Sequence, residues 1–563
     1  MYVCRSAVAG NGLARSAPGG GRASGRSWFF GVPAAEHDPN VISCRDHLRR
    51  FPADPPSPQE SLSVTRTGRT AGFAATAALA AAAALVSTPA HAASPAKITW
   101  KPCADDRSAQ CGTLSVPIDR ARPKLGRIKL AVARAKATDP KRRLGTIFVN
   151  PGGPGASGID FVLDRAGLNR EVRKRYDIVG FDPRGVGGSH PVKCGKLGKA
   201  PALYPKNQAE FTKLRSYQRA LYTACRKNTG PMYDHMGATD FARDMDAVRA
   251  ALGEQKIAYY GVSYGTWLGQ RYAELFPGRV KALVVDGTMD HSVAGAVRFS
   301  TDESRGLEAA YAQFARWCPT SRYCAIRGKN PWKVLDTLRA RAAKGTLHDI
   351  DSSKIRLTTV GLAQMVRATM YDPIAWNELS EELAYLSRQK VRKVTSPRAK
   401  ASPDGRFAGI MCSDWTFPVR NHKDLAALWK ANRKAAPHLG TSPLGYEAVV
   451  ACLGRPAGAD RQRPSRVPPS VPVLVIGGVG DPATVLPWAQ SVNRQVRGSS
   501  LVTYQGAGHG MYGLSGCVRT SVDAFLLAGR RPAGGTRCPA VLPDYSSQGE
   551  RRAPGKAQEP LRF

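Results

Sequence analysis

The chain has 563 residues, 42% of them hydrophobic, and 82 Lys and Arg against 43 Asp and Glu give a formal charge of +39. That length holds more than one hydrophobic core, and the apolar share fits a globular protein. A balance this basic first suggests nucleic acid or an anionic surface; with no RNP motif, no zinc-finger spacing and no long Lys/Arg block, nucleic acid is set aside in favour of a solvated basic surface, with non-specific adhesion to an anionic cell wall as its functional alternative.

Residues 1–63 are rich in Gly, Ser, Arg and Pro without sustained periodicity, and read as unstructured. Arg66 and Arg69 then precede an apolar run from Ala71 to Val86, and Ala90-His91-Ala92 supplies an A-x-A cleavage site. Residues 64–92 therefore read as a secretory signal peptide cleaved near Ala92. The run is too short and alanine-rich for a membrane span. A signal so far from Met1 implies that translation starts near Val64 on a non-ATG codon, with residues 1–63 a mis-assigned leader. Cysteine usage agrees with export. Past the cleavage site, Cys103 and Cys111, Cys194 and Cys225, Cys318 and Cys324, Cys412 and Cys452, and Cys517 and Cys538 lie as sequence neighbours. The absence of C-x-x-C disfavours zinc and redox motifs. Nearest-neighbour disulfides are expected, although ten cysteines allow on the order of a thousand pairings.

In chain order, Gly112 to Ile118 and Arg127 to Lys136 alternate as leading strands do. Thr146 to Asn150 is a buried strand that runs into the glycine-rich loop Pro151-Gly152-Gly153-Pro154-Gly155, and Asp177 to Phe181 runs into Asp182-Pro183-Arg184-Gly185-Val186-Gly187. A helix capped by Thr239 or Asp240 reaches Leu252. The strand Lys256 to Tyr260, the turn Gly261-Val262-Ser263-Tyr264-Gly265 and the helix Trp267 to Phe276 follow, then the strand Val280 to Val285 ending in Asp286-Gly287. Strands and helices alternating in this way predict a mostly parallel α/β sheet. Residues 289–465 are mostly helical in period (Ser304 to Cys318, Pro331 to Ala343, Thr359 to Met370, Trp376 to Arg388, Leu425 to Ala435), which predicts an inserted helical cap. Strands Val471 to Ile476 and Ser500 to Tyr504 and the helix Cys517 to Leu527 resume the sheet. The predicted organisation is core at 93–288, cap at 289–465, core again at 466–545, and a loose tail at 546–563.

Gly261 and Gly265 flank Ser263 as a Gly-x-Ser-x-Gly nucleophile elbow, where a sharp strand-to-helix turn crowds the positions two before and two after the serine. A serine hydroxyl needs a base to take its proton and a carboxylate to orient that base. His509, in Gly506-Ala507-Gly508-His509-Gly510 past the last strand, is the candidate base, with His235 and His291 in reserve. Asp481, after Gly477 to Gly480, is the candidate acid, and Asp286 its competitor. The order Ser263, Asp481, His509 is the α/β-hydrolase order. The backbone N–H groups of Tyr264 and Gly153 are the candidate oxyanion donors. No metal-ligand cluster or phosphate loop competes, since Gly185-Val186-Gly187-Gly188 lacks both the dinucleotide spacing and a Walker lysine; no metal or cofactor is expected.

Together these stretches, with Cys412-Ser413-Asp414-Trp415, Gly480-Asp481-Pro482-Ala483-Thr484 and Gly508-His509-Gly510, resemble the secreted tripeptidyl aminopeptidase and prolyl iminopeptidase branch of the α/β hydrolases. The resemblance implies Ser263 as nucleophile, Asp481 as orienting acid, His509 as base, and a helical cap that restricts access to the N-terminal end of a short peptide. One departure is Val485, where the family usually has a proline straight after the acid-loop threonine. For the substrate's free amine, Glu381, Glu382 and Asp414 are the cap carboxylates to consider. The expected function is a secreted serine exopeptidase releasing di- or tripeptides from free N-termini. The alternatives are a secreted esterase or lactonase with the same triad, and a non-enzymatic wall-binding protein on the same scaffold.

Overall fold

A computed structural model describes residues 97–350, 352–391, 405–543 and 545. The leader, the signal peptide and its cleavage site, and the tail from 546 onwards lie outside the described residues. Ten strands form one sheet: β1 (Lys101–Pro102), β2 (Gln110–Pro117), β3 (Arg127–Ala135), β4 (Gly145–Asn150), β5 (Tyr176–Phe181), β6 (Ile257–Val262), β7 (Val280–Asp286), β8 (Val473–Gly480), β9 (Ser500–Ala507) and β10 (Arg537–Cys538). Their order is β1-β2-β3-β5-β4-β6-β7-β8-β9-β10. The β1–β2, β2–β3 and β3–β5 pairs are antiparallel, and every pair from β5–β4 to β9–β10 is parallel. The expected mostly parallel sheet is thus present.

Successive residues of a buried strand face opposite sides, so one strand serves two cores. Phe148, Tyr259, Leu283, Val285 and Val475 pack on one side with Met245, Val248 and Trp267 from the helices Ala238–Ala251 and Tyr264–Leu275. Ile147, Val149, Tyr260, Val284 and Ile476 pack on the other with Phe161, Val172, Val522 and Phe525. These near-continuous apolar strands could be read from sequence because both faces are covered.

The helical stretch over 289–465 divides between two cores. The helix Ala296–Trp317 starts in the first sheet core through Phe299. It ends in a third core, where Leu307, Tyr311 and Phe314 meet Leu335, Leu338, Val366, Leu379 and Leu383 of the helices Pro331–Lys344, Thr359–Thr369 and Trp376–Arg388. The helices Gly405–Asp414, His422–Ala435 and Pro443–Ala451 return to the sheet core through Ile410, Met411, Leu425, Leu428, Tyr446 and Val449. The first two pack there with a helix the sequence pattern had not indicated, Gln208–Thr229.

All five nearest-neighbour cysteine pairs form disulfides. Among the described residues no helix is long and apolar enough to cross a membrane. One cap differs from expectation. Neither Thr239 nor Asp240 caps the helix Ala238–Ala251, which begins after Gly237 with no side-chain cap of its own. Instead the Ala238 N–H donates to both oxygens of Asp414, at 2.9 and 3.2 Å, from 176 residues away. A cap this distant leaves no local sequence signature.

Candidate active site

Ser263 sits between β6 and the helix Tyr264–Leu275 at φ 57° and ψ −128°. A non-glycine residue held there costs about 1–3 kcal/mol, a strain that clusters at active sites. Neighbouring glycines make the turn sterically possible. A Cβ on Gly261 would lie 2.5 Å from the Gly265 carbonyl oxygen, and one on Gly265 2.5 Å from the Asn150 carbonyl oxygen. The Ser263 N–H donates to the Asp286 carbonyl at 3.0 Å, which ties the elbow to the end of β7.

His509 follows β9 and Asp481 follows β8, the adjacent strand, so sheet order brings together two residues 28 positions apart. His509 Nδ1 lies 2.9 and 3.0 Å from the two Asp481 oxygens. The carboxylate also accepts the Ala483 N–H at 2.9 Å, the Thr484 N–H at 2.8 Å and the Thr484 hydroxyl at 2.9 Å. Both side chains are buried, His509 at 3% and Asp481 at 1% exposure. With Nδ1 facing the carboxylate, the proton sits on Nδ1 and Nε2 is the basic nitrogen. The imidazole is also held from its backbone, because the His509 N–H donates to the Tyr371 carbonyl at 2.9 Å and the Gly508 N–H to the Gly480 carbonyl at 3.2 Å. The Tyr371 ring stands edge-on to the imidazole with centroids 5.2 Å apart.

Tyr264 is the first residue of its helix, so its N–H has no intrahelical acceptor. The glycine loop after β4 lies against it: a Cβ on Gly152 would stand 2.8 Å from the Tyr264 nitrogen. The Gly152 N–H is spent on Asn150 Oδ1 at 2.9 Å. The next amide in this loop is that of Gly153, where φ is 104°. Asp182 braces the same loop by accepting the Ser157 hydroxyl at 2.6 Å and the Gly188 N–H at 2.8 Å.

Residues 438–538 match the TAP-like protein family. Along 492 residues the chain is 31% identical to the tripeptidyl aminopeptidase of Streptomyces lividans, covering 79% of this chain and 87% of that one. It is 30% identical over 486 residues to the serine protease Hip1 of Mycobacterium tuberculosis, covering 78% and 91%, and 29% identical over 500 residues to carboxylesterase B of the same species, covering 78% and 89%. The chain belongs to the tripeptidyl aminopeptidase-like family of α/β hydrolases. It is a serine hydrolase.

Two other stretches that carry the family resemblance, around Arg184 and Asp414, occupy structural positions. Arg184 pairs with Asp244 inside the protein through bonds of 2.6 and 2.9 Å and donates to the Ile118 carbonyl at 2.5 Å. Asp414 is fully buried behind the elbow helix, where its oxygens accept from the Tyr264 hydroxyl, from Trp267 Nε1 at 3.2 Å and from the Ala238 N–H. Burial pushes its carboxyl up to about 7. His291 stacks on Trp267 and its Nε2 meets the Asp414 carbonyl at 2.7 Å; burial holds it down to about 4, so it is a neutral core residue. His235 lies beside Asp240, at 3.4 Å. Glu381 is exposed and Glu382 half-buried on the helix Trp376–Arg388.

Sequence reasoning missed a buried charged cluster beside the acid loop. Glu303, 3% exposed, accepts the Ser442 hydroxyl at 3.3 Å. Burial pushes it up to about 8, with Arg367 opposing that rise and Asp481 adding to it. Arg367 is 2% exposed and donates to the Tyr371 hydroxyl at 2.8 Å. Glu447, half-buried on the helix Pro443–Ala451, has its carboxyl raised by burial, with the same Arg367 opposing the rise. The available signal was polar residues on apolar helix stripes, such as Glu303 between Phe299 and Leu307.

Proposed function

We propose that this chain is a secreted serine exopeptidase that releases short peptides, di- or tripeptides, from free N-termini through an acyl-enzyme. The observation that supports this reading is the buried Asp481–His509 pair past β8 and β9 and a strained Ser263 past β6, whose amide is tied through Asp286 to the segment after His509, in a chain whose relatives include a tripeptidyl aminopeptidase. In the first step His509 Nε2 takes the Ser263 proton as Oγ attacks the scissile carbonyl. The developing oxyanion is received by the Tyr264 and Gly153 N–H groups, each such donor being worth about 3 kcal/mol in the transition state. His509 returns the proton to the leaving amine, then activates the water that releases the peptide from Ser263.

With the Asp414 oxygens engaged in the core, Glu303 and Glu447 are the carboxylates we assign to the substrate's ammonium. Glu303 stands within electrostatic reach of Asp481, and a Cβ on Gly445, two residues before Glu447, would lie 2.9 Å from Glu303 Oε2. Burial keeps Glu303 protonated at neutral pH, and an arriving ammonium takes the place of that proton. Five disulfides support export, since such bonds persist in oxidising compartments, and residues 64–92 supply the signal. The formal charge of +39 supports loose adhesion to an anionic cell wall.

The likeness to carboxylesterase B favours one second reading, an esterase or lactonase with the same triad. Initial rates on a free-amine tripeptidyl arylamide, its N-acetylated form and a p-nitrophenyl ester decide between them. An exopeptidase loses turnover when the amine is blocked; an esterase prefers the ester and ignores the block. Ser263→Ala abolishes all three activities while the thermal melt is retained, and residual arylamide turnover in that variant refutes the assignment.

A further inference from the structure

Asp286 and Gly287 lie beside the proposed triad, yet the triad gives neither residue a task. Asp286 ends β7, is fully buried, and is not the partner of the imidazole nitrogen. Its hydrogen bonds instead reach both halves of the site. Its carbonyl accepts the Ser263 N–H at 3.0 Å. Its carboxylate Oδ1 accepts the Met511 N–H and its Oδ2 the Tyr512 N–H, each at 2.9 Å, and Oδ2 also takes the Tyr260 hydroxyl at 3.2 Å. Met511 and Tyr512 follow His509 after one glycine. One residue therefore fixes the nucleophile's amide through its main chain and the segment leaving the base through its side chain.

Gly287 completes the seat. It has φ 65°, and a Cβ there would stand 3.0 Å from His509 Cε1, 3.2 Å from His509 Nδ1 and 2.9 Å from Thr484 Oγ1. Any side chain would crowd the imidazole edge that carries Nδ1, the atom paired with Asp481. We propose that Asp286 and Gly287 are positioning residues that seat His509 against the nucleophile elbow, an inference that rests on Ser263, His509 and Asp481 being the triad.

A carboxylate suits this task better than its amide. Two backbone N–H groups arrive on two different oxygens, so an asparagine can accept one and must present its own NH₂ to the other. A buried donor left without an acceptor is costly, and the segment after His509 shifts to relieve it. The carboxylate, when ionised, also puts a negative charge near an imidazole that becomes cationic in the transition state; burial raises the Asp286 carboxyl to about 6 even though the Met511 and Tyr512 amides and His509 oppose the rise.

The test is Asp286→Asn in the full chain, with kcat, KM and the pH profile measured on a p-nitrophenyl ester, and active sites counted by a fluorophosphonate. The groups facing His509 are Asp481, Asp286 and Tyr371, with Glu303 and Arg367 behind them; those facing Asp286 are Tyr260, Tyr512 and His509. We expect kcat per active site to fall about ten- to a hundredfold with KM little changed, because the interaction acts in the transition state. The acid limb of kcat/KM moves to lower pH, since the imidazolium loses a neighbouring negative charge. A loss explained wholly by fewer active sites, with the limb unmoved, overturns the proposal. Should Asp286→Asn not fold, Gly287→Ala decides: kcat within twofold of the native value overturns the proposal, and a tenfold loss supports it. Ser263→Ala separates the two levels. If it retains turnover, the triad reading fails; if it is dead while Asp286→Asn stays native-like, only the positioning role falls.

Discussion

The carboxyl edge of the sheet and the helical stretch over 289–465 hold their polar groups by different means. At the edge, the proposed chemistry rests on backbone shape: a serine at positive φ, glycines where a Cβ would collide with a neighbouring segment, and a carboxylate that accepts amides from the next three residues. In the helical stretch the buried polar side chains are gathered from distant turns: Glu303 accepts the Ser442 hydroxyl across 139 positions and lies within electrostatic reach of Arg367. Local backbone demands leave a mark in a few consecutive residues. Long-range side-chain gatherings do not. Substitutions at the edge should therefore abolish the site outright, whereas those in the helical stretch should change which substrate it accepts.

The largest effect tests the edge. A Cβ on Gly265 would stand 2.5 Å from the Asn150 carbonyl oxygen and 2.8 Å from its Oδ1. These are atoms of a central strand and of the turn that leads to the glycine loop, and neither can yield cheaply. Gly265→Ala should cost about 3 kcal/mol or more through overpacking and remove fluorophosphonate labelling. Gly516→Ala, with nothing within 4 Å of the added methyl, is the matched control and should melt as the native protein does. Equal melting of the two would mean that the elbow tolerates what its geometry forbids.

This contrast also explains how much was legible in advance. The strands around the site were readable because burial on both faces makes them continuous apolar runs, and the turns that carry Ser263, Asp481 and His509 because each ends such a run beside glycines. The helix Gln208–Thr229 was not, since Gln218 interrupts its stripe of Phe211, Leu214, Leu221 and Cys225. The helix Gly405–Asp414 was hidden by its own glycines, which depress helix propensity but are needed there: a Cβ on Gly405 would collide with the Cys194–Cys225 disulfide, and one on Gly409 would stand 2.9 Å from the Tyr233 ring. Asp414 could be seen as a carboxylate in a family stretch, yet nothing in the sequence reveals that it faces Tyr264 and the Ala238 amide.

A middle-sized effect tests the helical stretch. Glu303→Gln should raise KM for a free-amine tripeptidyl arylamide about tenfold or more, the scale of a lost hydrogen bond to a charged group, and leave p-nitrophenyl ester hydrolysis within twofold of native. An equal loss on both substrates would place Glu303 in the support of the triad and erase the contrast with the edge. The same variant carries a stability signature. The Glu303 carboxyl is raised from an ordinary 4.5 to about 8, so the folded state holds its proton where the unfolded state releases it. That contribution is complete below about pH 4 and is lost as pH rises towards 8, on the order of a few kcal/mol across the window. Asp414, raised to about 7, slopes the same way. Glu303→Gln should flatten the fall in melting temperature between pH 5 and pH 8; an unchanged slope would mean that the carboxyl titrates normally.

The smallest effect returns to the edge, at the residue where the chain departs from its family. Val485 stands where the family resemblance leads one to expect proline, and its φ of −62° and ψ of 146° are values that a pyrrolidine ring would impose or allow. The turn after Asp481 is therefore kept by its surroundings: the Ala483 and Thr484 amides are bound to the Asp481 carboxylate, and Val485 packs against Gly306, where a Cβ would stand 2.5 Å from Val485 Cγ1. If backbone shape is already fixed, restoring the ring changes only the unfolded chain. Val485→Pro should then raise stability by about 0.5–1 kcal/mol, by removing conformational freedom from the unfolded state, with kcat/KM unchanged within twofold. A fall in kcat instead would show that the valine side chain, wedged between the acid loop and the helix Ala296–Trp317, helps to aim Asp481, and that even at the sheet's edge a long-range contact can carry part of the chemistry.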